Sequence, residues 1–178
     1  MKKAFTMLEL VFVIVVIGIL AAVIIPNTRT NPVQEGATQL LSHIRYTQHL
    51  AMMDDKYDAT NATWFRDRWQ IRFSSTSYSI ASGNTFAADP QNSANSLQDI
   101  NLSTKYSSTV SFNGSCGANE IISFDYLGRP ILHSLSAATT PYPTGQLMTS
   151  DCNITLSDGT ENAIIQIRPE TGYASVSY

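Results

Sequence analysis

The sequence predicts an α+β protein, a long N-terminal transmembrane and spine helix packed on an antiparallel, sandwich-like β-rich head. Three observations predict it. An apolar run from Phe5 to Ile25 holds a single charge, Glu9. Apolar residues at Val33, Ala37, Leu40, Leu41, Ile44, Ala51 and Met52 then recur at helical spacing. Beyond them the chain falls into short alternating stretches separated by turn residues.

Bulk composition agrees with this division. Charged residues are 14% of the chain, against about 25% in a typical soluble domain, because one apolar segment displaces them. The remainder is polar, rich in Ser, Thr and Asn. The 178 residues make one ordinary domain plus an appendage. A formal charge of −3 argues against a general nucleic-acid binder.

At the N-terminus, a helix over Phe5–Ile25 would be about 31 Å long, close to the roughly 30 Å bilayer core. Lys2 and Lys3 precede it and the next basic residue is Arg29. The positive-inside rule then keeps the N-terminus cytoplasmic and exports the chain beyond Pro26. Three readings compete: a signal peptide cut near Ala21 and Ala22, a plain single-pass anchor, and a helix retained after a cut just ahead of it. Glu9 favours the third. A carboxylate within an apolar segment costs about 2.5–3.5 kcal/mol at mid-bilayer, less near a helix start, and neither a signal peptide nor a plain anchor uses one.

The run Phe5-Thr6-Met7-Leu8-Glu9, followed by an unbroken apolar stretch, resembles the class III signal of type IV pilins and pseudopilins. That resemblance implies a prepilin peptidase that cuts between Ala4 and Phe5 and methylates the new N-terminus at Phe5. It implies that Glu9 is the assembly residue, neutralising the N-terminal amine of a neighbouring subunit. Ala4 stands where the family usually has Gly, and a small residue still fits a narrow subsite. Removing Met1–Ala4 takes Lys2 and Lys3 away and would carry the formal charge from −3 to −5. Pro26 falls where the family's first helix loosens.

The next helix is expected to start with Asn31 as N-cap, Pro32 at its first position and Gln34 completing a capping box, and to reach about Asp54. Its polar face would carry Gln39, His43, Gln48 and Asp54. His43 and His49 are read as helix-surface residues. The expected organisation is thus leader 1–4, transmembrane and assembly helix 5–26, amphipathic continuation 27–56 and periplasmic head 57–178.

Within the head, residues Trp64–Phe73 alternate like a strand. Phe65, Trp69, Ile71 and Phe73 take one face, while Trp64, Arg66, Arg68, Gln70 and Arg72 take the other. Further strands are expected at 77–81, 109–112, 120–126, 130–132, 152–156, 163–168 and 173–176. Turns are expected at Tyr126–Pro130, Ser157–Thr160 and Pro169–Gly172. Residues 83–108 and 134–150 read as loops. Cys116 and Cys152 lack metal-ligand spacing, and an exported chain leads one to expect a single structural disulfide, with two unlinked buried thiols as the alternative.

Ser42-His43-Ile44-Arg45, Ile122-Ser123-Phe124-Asp125 leading to Gly128-Arg129, and Ile167–Tyr173 together resemble the GspH/FimT-type minor pilins, whose head is a β-sandwich. This implies a low-copy subunit near a filament tip. Arg66, Arg68 and Arg72 are expected to share one basic face, read either as a phosphate-binding ridge, or as a solvated strand face or a salt-bridging contact to a neighbouring subunit. Some FimT-type proteins take part in DNA uptake through a basic C-terminal motif, but Thr171–Tyr178 holds no Lys or Arg. No nucleophile–base set, phosphate loop or zinc spacing occurs. Asp151, Asp158 and Glu161 lack EF-hand spacing, so neither metal nor cofactor is expected.

The function expected is that of a minor pseudopilin of a type II secretion system, a structural subunit and not an enzyme. Its partners would be prepilin peptidase, sister subunits and the inner-membrane assembly platform, and its location the bacterial inner membrane, single-pass with a periplasmic head. The alternatives are a minor pilin of a type IV pilus, serving adhesion, motility or DNA uptake, and a membrane-anchored binding or hydrolytic domain unrelated to filaments.

Overall fold

The structure, a computed structural model, describes residues 6–24, 31–117 and 120–178. The cut expected between Ala4 and Phe5 and the loosening expected at Pro26 lie outside the described residues. The chain divides into two compact units, Met1–Asn31 and Pro32–Tyr178.

In the first unit, helix α1 spans Met7–Ile24. Thr6 fixes its start. The Thr6 Oγ1 accepts the Glu9 N–H at 3.3 Å, and the Thr6 carbonyl accepts the Leu10 N–H. Every residue from Thr6 to Ala21 is exposed. Among the described residues the 18 of α1 measure about 27 Å, less than the roughly 30 Å bilayer core, and Glu9 in the first turn shortens the uncharged part further. Among the described residues no helix is long and apolar enough to cross a membrane. This corrects two expectations, the transmembrane spine helix and the single-pass inner-membrane location that rested on it.

The second unit opens with helix α2, Pro32–Met53. Proline suits a first helical position, where its missing N–H has no partner to lose. The expected stripe is buried from Val33 to Ala51, and Gly36, His43 and Thr47 widen it. Met52, expected at its end, is exposed.

Beyond α2 the chain forms two antiparallel sheets. The first contains β1 (Trp69–Phe73), β2 (Ser77–Ser82), β3 (Thr85–Phe86), β4 (Ile100–Asn101), β6 (Ile121–Phe124) and β7 (Pro130–Leu132), in the order β3-β2-β1-β6-β7 with β4 also on β2. The second has the order β10-β9-β8-β5, built from β5 (Thr109–Gly114), β8 (Cys152–Ser157), β9 (Asn162–Ile167) and β10 (Ala174–Ser177). Strand β8 shows the period-two rule plainly, with Cys152, Ile154 and Leu156 buried and the residues between them half-buried. A short helix α3, Leu102–Tyr106, is capped by Asn101, whose side chain accepts the Thr104 N–H at 2.7 Å.

One buried cluster joins α2 to the inner faces of both sheets, including Ile71, Ile122 and Leu132 from the first and Ile154, Ile165 and Ile167 from the second. Phe73 of β1 meets Phe112 of β5 edge-to-face at 5.2 Å. A second, smaller cluster of Phe65, Ile131, Leu135 and Ala138 lies apart from it. Ile131 pairs with Ser123 and Ser123 with Gln70, so this cluster lies on the outer face of the first sheet. The 134–150 loop supplies part of it through Leu135 and Ala138.

His43 departs from the expected surface position. It is 4% exposed, and its Nδ1 lies 2.7 Å from the Tyr78 hydroxyl. Burial lowers the imidazole pKa below 6.5, opposed by nearby Asp89 and reinforced by Lys105. Burial also pushes the Tyr78 phenol far up, so the hydrogen bond joins a protonated hydroxyl and a neutral ring. The unfolded chain therefore binds a proton that the folded head refuses. Stability is expected to be flat above pH 6.5 and to fall as the pH drops below it, by at most about 1.4 kcal/mol per pH unit for one proton. Urea midpoints between pH 7.5 and 5.5 check this, and His43→Gln should flatten the profile.

Candidate functional site

The first candidate is the start of α1. Thr6 and Glu9 stand in Thr-x-x-Glu spacing, the capping-box pattern, and the Thr6 half of the box is formed. Glu9 is thereby held in the first turn, where the helix dipole favours a carboxylate. The capping pattern was present in the sequence but obscured by the apolar run behind it. Ala4 and Phe5, the expected processing residues, lie outside the described residues.

The basic face expected at Arg66, Arg68 and Arg72 is rearranged. Trp64–Asp67 is a 3-10 turn, and the strand begins only at Trp69. The cause is local. Asn61 Oδ1 accepts the Thr63 N–H at 2.9 Å, and the Asn61 carbonyl accepts the Trp64 N–H at 3.2 Å, so the chain enters Trp64 already turning. Arg68 is consequently buried, at 4% exposure. Its guanidinium sits between the Trp64 and Tyr142 rings, at 4.9 and 4.7 Å from their centroids, and its Nη1 donates to the Pro141 carbonyl. Burial lowers the Arg68 pKa and raises that of Tyr142. Arg66 donates from Nε and Nη2 to the Ala138 carbonyl at 3.1 and 2.8 Å. Arg72 donates from Nη2 to the Gly83 carbonyl at 2.6 Å. Arg66 and Arg72 still line one groove with Asp67 and Gln70, while Arg68 does not.

The motif segments that carried the minor-pilin resemblance meet around α2. The fully buried Asp125 organises its own turn: Oδ1 accepts the Leu127 and Arg129 N–H groups at 3.0 and 2.8 Å, and Oδ2 receives the Arg129 side chain and the Tyr142 hydroxyl. That hydrogen bond to Asp125 raises the Arg129 pKa. Gln48 Nε2 then donates to the Gly128 and Thr171 carbonyls, each at 2.9 Å. Arg45 donates to the Ala174 carbonyl at 2.8 Å. These residues position turns, and none is arranged as a nucleophile with its base.

Cys116 and Cys152 form a disulfide, both fully buried. Asp151 faces Arg168 at 2.6 Å, and Asp158 Oδ1 accepts the Thr160 and Glu161 N–H groups of its own turn. Among the described residues no three His, Cys, Asp or Glu side chains gather as metal ligands. His49 and His133 are exposed. No protein-family model, no curated protein and no solved structure matches the chain.

Proposed function

We propose that this chain is a structural subunit of a pilin-type filament, a minor pseudopilin of a type II secretion system. The observation that supports it most is α1, a helix apolar on every side whose only charge, Glu9, sits in a capped first turn. A helix hydrophobic all round has to be covered. In this reading sister subunits cover it with their own N-terminal helices, and Glu9 meets the amine of a neighbour. The disulfide-closed head, with Arg66, Arg68 and Arg72 bound to its own carbonyls, is a presented surface and not a reaction centre. Prepilin peptidase and sister subunits are the partners.

The test is intact-mass and N-terminal analysis of the protein from its native host, with a filament-incorporation assay of Glu9→Leu. A chain beginning at methylated Phe5 and a fall in incorporation of about tenfold or more, at unchanged protein level, are the expected results. A chain beginning at Met1, or Glu9→Leu incorporating normally, overturns the reading.

A further inference from the structure

We infer that the groove on the outer face of the first sheet binds an acidic side chain of a partner polypeptide. The groove, of about 490 Å³, lies within the second unit, so the inference does not rest on the filament reading. Its size is in the range of pockets that hold small ligands, enough for a side chain and the backbone beside it.

Arg66 enters from the 3-10 turn and Arg72 from β1, with Gln70 between them at 5% exposure. The ion pairs formed among the described residues are Lys56–Asp54, Arg129–Asp125 and Arg168–Asp151, so neither groove arginine has a carboxylate partner. Each has a neutral carbonyl instead. That contact fixes the guanidinium while leaving its charge uncompensated. Arg66 binds Ala138 through Nε and Nη2, and its Nη1 stays available. Arg72 binds Gly83 through Nη2 alone. A guanidinium has five N–H donors in a planar fork, matched to the two oxygens of a carboxylate. Two such forks held by backbone are pre-organised, which lowers the ordering cost of binding.

Asp67 decides between anions. Its carboxylate abuts the α-carbon of Gly83 inside the same groove. Either anion meets Asp67 with like charge, but the sugar–phosphate backbone of DNA brings only acceptors to offset it. A peptide brings a carboxylate for the arginines and a backbone N–H for Asp67. Ser134 and Asn84 extend the polar lining. A polypeptide therefore fits this groove better than a nucleic acid does.

The test is fluorescence anisotropy of the full chain with a labelled hexapeptide of alternating Glu and Gly. The Gln-for-Glu peptide and an oligothymidylate of equal charge serve as comparisons. Binding of the Glu peptide about tenfold or more tighter than either is expected, with Arg72→Gln and Arg66→Gln each weakening it about tenfold. Ser134→Glu, which places a carboxylate in the groove and leaves both arginines intact, should abolish binding. That variant keeps the test decisive if Arg66→Gln disturbs the loop it holds. Absence of binding at millimolar peptide, or binding indifferent to Ser134→Glu and Arg72→Gln, overturns the inference. Tighter binding of the oligothymidylate, lost in the same variants, overturns it in favour of a phosphate groove.

Discussion

Replacing Cys116 and Cys152 by serine is expected to destabilise the head by about 3–4 kcal/mol, the chain-entropy value for the 36-residue separation they close. The position of the bridge explains why the effect is large. Cys152 starts β8, directly opposite Gly114 at the end of β5, and Cys116 lies two residues beyond that end. Between the two cysteines the chain leaves the second sheet, lays down β6 and β7 in the first, and returns. The disulfide therefore closes the base of the excursion that ties the sheets together. The measurement is urea unfolding monitored by tryptophan fluorescence. Trp64 and Trp69 are the two tryptophans of the chain, so the full-length protein reports on the head alone. A midpoint lowered by about 1.5–2 M is expected. A loss under about 1 kcal/mol would mean that β5–β8 pairing alone holds the loop.

Gly172→Ala is expected to cost about 2–5 kcal/mol, combining a left-handed backbone penalty with overpacking. Gly172 has φ of 64°, and a methyl group there would collide with the Gly128 carbonyl oxygen and stand 2.6 Å from Gln48 Nε2. Both neighbours belong to the bond that fastens two turns to α2, so relaxation on either side breaks it. Gly145→Ala is the internal control. Gly145 has φ of 78° but open space around it, so only the backbone penalty of about 1–2 kcal/mol applies. Equal losses for the two variants would exclude close packing of the turns as the cause.

Much of the head was legible because period-two burial is written directly in residue order. Strand β7 coincides with the expected 130–132, β8 runs one residue further than expected, and β9 begins and ends one residue earlier. The start of α2 at Pro32 was legible because proline lacks a backbone N–H and so suits a first helical position. Residues 64–68 misled because Trp and Arg alternate there as in a strand, while the turn is set by Asn61 and Thr63 upstream. The 83–108 stretch hid β3, β4 and α3, which are two to five residues long. Such elements are held by side chains, for example Asn101 on Thr104 and Ser79 on the Asp99 N–H. His43 looked like a surface residue because its burial depends on Tyr78, a partner 35 positions away. Among the described residues α1 begins at Met7, where Thr6 caps its first turn, two positions after the expected start. At the arginine face, composition showed the charges but not the carbonyls that hold Arg66 and Arg72, nor the rings that enclose Arg68.

The fastenings of α2 have a consequence for biosynthesis. Thr38 meets the hydroxyl of Tyr178, Arg45 meets the Ala174 carbonyl and Gln48 meets the Thr171 carbonyl, across 140, 129 and 123 positions. The first helix of the head is thus completed by its last strand. A ribosome adding about 5–20 residues per second leaves the α2 stripe uncovered for on the order of ten seconds. Contacts this distant also make for slow closure. The head is finished only after its last strand has been made, and until then the apolar stripe of α2 is open to self-association.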